Sequence, residues 1–78
     1  RERAVLVQEA VAGLPQRVRE VVILREYQGL TFREIGEVLG VAEGTVKWRM
    51  AEGLTALAKR LGPRLGEGRR ELATDEHG

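Results

Sequence analysis

Apolar residues recur along this chain at intervals of three and four, the period of a helix with one buried face, and no stretch of useful length alternates as a strand does. The pattern predicts four helices. The first covers about 2–12, with Val5, Leu6, Val7, Ala10 and Val11 as its apolar stripe and Gly13 as its stop. The second runs from Pro15 to about Gln28, because proline suits the first position of a helix, where its missing N–H has no partner anyway. Val18, Val21, Val22 and Leu24 supply its buried side, with Ile23 and Tyr27 on a neighbouring stripe and Tyr27 assigned to the core. Gly29 then provides a left-handed C-terminal turn.

The third helix, 32–39, has the clearest start signal. Thr31-Phe32-Arg33-Glu34 spells a capping box: the Thr31 hydroxyl accepts from the N–H of Glu34, whose carboxylate accepts in turn from the N–H of Thr31. Ile35, Val38 and Leu39 lie on one face, and Gly40 ends the helix. At two to three turns it needs its neighbours to persist. The fourth helix covers about 43–61, with Val46, Met50, Leu54, Leu57 and Leu61 as its core stripe and Lys59 and Arg60 against its negative end. Gly62-Pro63 stops it. The remainder, 63–78, is rich in Gly, Arg and Glu and is expected to be a polar tail, disordered or weakly helical around 69–73. The reading is therefore an all-α fold: a small four-helix domain over 1–62, then a tail.

Size and composition narrow the function. A chain of 78 residues is one small domain, and a domain that short buries only about 60% of its unfolded surface, which leaves little room for a deep pocket. Cysteine is absent and His77 is the lone histidine, so neither a thiolate metal site nor a His-based catalytic centre can be assembled. No nucleophile–base pair or phosphate loop is present either. These features predict a non-enzyme with no cofactor, no bound metal and no small-molecule substrate. No apolar run approaches the about 20 residues of a membrane span, and no signal peptide precedes the domain, so a cytoplasmic protein without a membrane partner is expected. The chain begins at Arg1 rather than Met and is expected to be a piece of a longer protein.

The third and fourth helices, joined by Gly40-Val41-Ala42, match a helix-turn-helix. Gly36 sits mid-helix, where glycine costs about 1 kcal/mol relative to alanine, and a close crossing by the next helix would explain it. In such a unit the second helix enters the DNA major groove and residues near its N-terminus meet base edges. With Val46 and Met50 facing the core, Glu43, Gly44, Thr45, Lys47 and Trp48 fall on or near the exposed side, and Arg49 at its flank. Lys47 can donate to guanine or to phosphate, Thr45 to either, and Glu43 can accept from cytosine N4. Gly44 permits close backbone approach to a phosphate at the helix N-terminus. Each residue has a plainer alternative: Lys47 and Arg49 as solvated charges, Trp48 as a protein contact or packed on Pro63 or Leu65, and Arg17, Arg19, Arg25 and Arg33 as either phosphate contacts or solubilising groups.

The formal net charge of +1 does not by itself announce a nucleic-acid binder. Its distribution is more informative. Over 41–62, four cations (Lys47, Arg49, Lys59, Arg60) oppose Glu43 and Glu52, so the surplus sits on the predicted recognition helix while the tail is slightly acidic. The local field is modest, which predicts weak, salt-sensitive DNA binding that needs a partner to hold the domain in place.

Leu14-Pro15-Gln16-Arg17-Val18-Arg19-Glu20-Val21-Val22-Ile23-Leu24-Arg25-Glu26-Tyr27 resembles the opening of region 4, the C-terminal domain of bacterial sigma factors. Gly29 to Gly36, then Leu39-Gly40-Val41, continue the resemblance, and Gly44-Thr45-Val46-Lys47 with Arg49-Met50 resembles the recognition-helix start of the extracytoplasmic-function group. The resemblance covers about 4–61. It implies a helix-turn-helix of the winged-helix-like superfamily, without a wing, that binds the −35 promoter element while docked on the RNA polymerase β flap, with an anti-sigma factor as a further partner. By position Glu43, Gly44, Thr45, Lys47, Trp48 and Arg49 inherit the promoter-facing role, and Arg25 and Arg33 that of backbone contacts.

The chain departs from the family pattern in two places. Trp48 stands where a small polar residue is usual, and 51–58 holds no basic residue where arginines are usual. Two alternatives therefore stay open: a LuxR-type regulator, whose recognition helix also starts Thr-Val-Lys, and a sigma-like module that binds a regulator or polymerase without reading DNA.

Overall fold

The computed structural model describes residues 2–62, which form four helices: α1 (Arg3–Ala12), α2 (Gln16–Glu26), α3 (Phe32–Leu39) and α4 (Glu43–Leu61). No strand occurs among the described residues. The expected tail, and with it any packing of Trp48 on Pro63 or Leu65, lies outside them.

Local chemistry sets the boundaries. Pro15 is extended (φ −55°, ψ 146°) and caps α2 from outside rather than occupying its first turn as expected. The end of α2 falls at Glu26, two residues before the expected Gln28, because the chain unwinds there: Gln28 N–H reaches back to the Ile23 carbonyl and Leu30 N–H to that of Leu24, with Gly29 at φ 71°. Thr31 and Glu34 form the complete capping box, at 3.1 Å for Glu34 N–H on Thr31 Oγ1 and 2.8 Å for Thr31 N–H on Glu34 Oε1.

The α1–α2 junction is held from the side by Arg19, whose guanidinium donates to the carbonyls of Ala12 and Leu14, both at 3.2 Å. The last carbonyls of α1 have no basic residue in their own turn, so a cation borrowed from α2 sits at the negative helix end.

The longest helix, α4, is the spine on which the others pack, most extensively α2, then α3 and α1. Ala10, Val11, Leu14, Val18, Val21, Val22, Phe32, Ile35, Val46, Met50 and Leu57 form one buried apolar cluster, and no polar or charged residue is buried among the described residues. Val21, Val22, Ile35 and Val46 are almost wholly enclosed, and each such side chain contributes about 1.5–3 kcal/mol relative to exposure.

Several expected core positions differ. Tyr27 is 51% exposed because α2 has ended before it, and Val38 is 62% exposed because the face α3 turns inward carries Phe32, Ile35 and Gly36 instead. Only the last turn of α1, Ala10 and Val11, is buried; Leu6 is exposed and Val5 and Val7 are half-buried, since the first turns overhang the core. Leu24, Leu54 and Leu61 line the cluster's margin. In α4 the stripe runs through Gly53, which is buried. A Cβ built there would stand 2.8 Å from Val22 Cγ2 and 3.0 Å from Val18 Cγ1. The absence of a side chain here lets α2 cross α4 closely.

Candidate nucleic-acid interface

The turn between α3 and α4 is built from backbone. Gly40 adopts φ 71°, the left-handed conformation that a side chain resists, and Val41 N–H donates to the Gly36 carbonyl at 3.0 Å. Gly36 faces this turn, not the body of the next helix: a Cβ on it would stand 2.8 Å from the Val41 carbonyl oxygen and 3.7 Å from Glu43 N. Three residues therefore suffice to reverse the chain and start α4.

From that start, α4 presents two rows. Val46, Met50, Gly53 and Leu57 are buried. Gly44, Trp48, Ala51 and Thr55, each two residues earlier, are all exposed. Two residues in an α-helix are about 200° of rotation, so the outer row stands almost opposite the core. Trp48, 65% exposed, is its largest member. Ala51 and Thr55 join the candidates Gly44 and Trp48 here, and the signal that finds them is the core spacing shifted by two.

The charged candidates flank this row. Lys47 Nζ lies 3.4 Å from Glu43 Oε2, one turn back, with both side chains about half exposed. An exposed pair of this kind is worth about 0.3–0.5 kcal/mol, so a phosphate or base edge can displace it at little cost. Thr45 and Arg49 lie on the opposite flank, both half-buried. Glu43 and Gly44 open the helix behind Ala42, which supplies no side-chain cap. Nothing among the described residues requires glycine at 44, since a Cβ there would meet none of their atoms within 4 Å.

Arg33 and Arg25 are placed differently from this cluster. Arg33 is exposed on α3, 3.9 Å from Glu37 in a solvated pair. Arg25 is engaged within the chain: its guanidinium lies 4.5 Å over the Phe32 ring and donates to the Leu30 carbonyl at 3.1 Å. It ties the end of α2 to the start of α3. The Thr31 N–H, and then its hydroxyl, hold the Glu34 carboxyl below the ordinary glutamate pKa. No helix is long and apolar enough to cross a membrane, and no group of three His, Cys, Asp or Glu able to hold a metal occurs among the described residues.

The arrangement has the parts of a groove-binding unit: a short capped helix, a tight turn, and a second helix whose outer row no other described residue covers from its first turn onward. Comparison with known proteins agrees with that geometry. A family model described as Sigma-70, region 4 matches residues 4–57. The chain is similar to the ECF RNA polymerase sigma factor SigM of Mycobacterium tuberculosis, 43% identical over 61 residues, covering 78% of this chain and 31% of that protein. It is similar to the ECF RNA polymerase sigma factor SigW of Bacillus subtilis, 40% identical over 55 residues, 70% of this chain and 29% of that protein. RNA polymerase sigma factor SigZ of the same organism is 30% identical over 78 residues, 100% of this chain and 42% of its own length. The chain thus spans about a third of the length of these two ECF sigma factors, SigM and SigW. No solved structure gives a significant match.

Proposed function

The chain belongs to the Sigma-70, region 4 family, and from that membership and the geometry of α4 we propose that it recognises promoter DNA in transcription initiation. The −35 element is its target, read by α4 while the domain is docked on the RNA polymerase β flap; an anti-sigma factor is a further partner. The observation that carries this reading is the outer row of α4, exposed from the first turn after the helix-turn-helix and flanked by Lys47 and Arg49.

Roles follow from position. The open first turn of α4 at Glu43 and Gly44 offers backbone N–H groups to a phosphate, and Gly44 lets it come close. Lys47 and Arg49 sit on either side of the groove-facing row, where the two phosphate strands run, and Thr45 shares a flank with Arg49. Arg33 is the better placed of the two outlying arginines for backbone contact, Arg25 being committed to Leu30 and Phe32. The family match favours this reading over a LuxR-type regulator.

The test is promoter-specific transcription by the protein carrying this chain, with Lys47→Ala and Arg49→Ala combined. Transcription that depends on the −35 element should fall steeply, while the protein still joins the polymerase. Undiminished −35-dependent transcription by the double variant would remove these residues from the site. A second reading, a module that binds polymerase or a regulator without reading DNA, is favoured by one observation: Ala51 to Ala58 carries no basic residue.

A further inference from the structure

The groove-facing row of α4 is chemically unusual for a DNA reader. At Gly44, Trp48, Ala51 and Thr55 it holds none of the side chains that read bases by paired hydrogen bonds: no Arg, Lys, Asn or Gln. The cations lie one residue to either side of Trp48, at Lys47 and Arg49, about 100° around the helix in each direction. Around Trp48 the outward centre of the helix is apolar, with Glu52 as the charge nearest to it, and the cations stand on the flanks. In a major groove about 12 Å wide, that places cations toward the phosphate walls and apolar surface toward the floor.

The floor of the major groove offers one apolar feature, the C5-methyl group of thymine, and alanine, the threonine methyl and aromatic rings are the side chains that meet it. Trp48 has the reach, and Ala51 and Thr55 continue the same line along the helix. We propose that this chain recognises its promoter element by apolar contact with thymine methyl groups, with Trp48 as the principal specificity-determining residue. Glu52, exposed one turn beyond Trp48, adds an acceptor suited to a cytosine amino group. The preferred element is therefore rich in thymine under Trp48, Ala51 and Thr55, and guanine contacts fall to the flanking Lys47 and Arg49. This inference rests on the DNA-binding reading above and specifies its base chemistry.

The experiment uses the protein that carries this chain, assembled with RNA polymerase. Bound duplexes are first selected from a random-sequence pool, and each thymine of the selected site is then replaced by deoxyuridine, which removes the methyl and keeps every hydrogen-bonding group. Burying one methyl is worth about 0.8 kcal/mol, so each contacted thymine should cost about fourfold in affinity when replaced. Trp48 is exposed, so Trp48→Ala should leave folding intact; it should weaken the thymine duplex and abolish its advantage over the deoxyuridine duplex. Indole fluorescence should change on adding the selected duplex.

The outcomes separate the two levels. Sequence-selective binding that is indifferent to deoxyuridine at every position overturns the thymine reading and leaves promoter recognition standing. If no duplex is selected and the indole responds only to polymerase, the DNA-binding reading itself fails and Trp48 belongs to a protein interface.

Discussion

Gly36 and Val41 close the helix-turn-helix on each other. Val41 N–H donates to the Gly36 carbonyl at 3.0 Å, and the Val41 carbonyl oxygen lies 2.8 Å from where a Cβ on Gly36 would stand. The obstacle is backbone, pinned by Gly40 at φ 71°, and cannot swing aside as a flexible side-chain end would. Gly36→Ala should therefore destabilise by about 1–3 kcal/mol despite the about 1 kcal/mol that alanine gains in a helix interior. Urea denaturation measures it, and an unchanged or raised midpoint would show that the turn can relax.

A second contact makes the same argument for the α2–α4 crossing. Gly53 faces Val22 and Val18, whose branched side chains are stiff about χ1. Gly53→Ala should lower the melting temperature, and Gly53→Ala combined with Val22→Ala should lose less than the sum of the two single losses. Simple additivity in that cycle would mean the two residues do not press on each other.

Gly44 is the contrasting case. With open space around a Cβ and no positive φ, Gly44→Ala should stabilise the chain by a few tenths to about 1 kcal/mol. If a phosphate approaches the backbone there, the same variant should bind promoter DNA more weakly. Thermal melts and a DNA titration on one preparation would show the two effects moving in opposite directions; equal or tighter binding would place the phosphate elsewhere.

The α3 cap predicts a pH dependence. Glu34 has its folded-state pKa lowered, chiefly by the N–H of Thr31. A lowered carboxyl pKa stabilises the fold above the ordinary glutamate range and loses that contribution as pH falls through the lowered value. Glu34→Gln, whose amide oxygen can still accept from Thr31, should keep the capping box while flattening the acid limb of a stability profile between about pH 3 and 7. Thr31→Ala should cost about 1 kcal/mol at neutral pH. A profile for Glu34→Gln that overlays the parent would assign the acid limb to other carboxylates.

Arg25 is expected to act through Phe32 and Leu30. Arg25→Lys keeps the charge but loses the planar group that both stacks and donates, so it should destabilise by about 0.5–1 kcal/mol, and Arg25→Ala by more. If instead the lysine variant keeps full stability and Arg25→Ala lowers only the salt slope of DNA binding, the residue is a phosphate contact after all.

The helices and the place of the turn are legible in the residues alone, because they depend on near neighbours along the chain. The capping box needs only Thr31 and Glu34, the left-handed turn only Gly40, and the period of the α4 core stripe repeats within one element. The residues alone mislead where an answer depends on something distant. Tyr27 and Val38 have the right residue type for a core, but the helix ends before one and the other faces away from α4. Gly53 looks like a weak point in α4 until Val18 and Val22 arrive from α2, some 30 residues earlier in the chain. Arg25 looks like any exposed cation until α3 folds back and sets Phe32 beneath it. The packing of the helices on one another settles these, because burial and close approach belong to pairs of elements. The same holds for the outer row of α4: which residues it contains follows from the helical period, but that none of the described residues covers it is a fact about how α1, α2 and α3 pack on the other side.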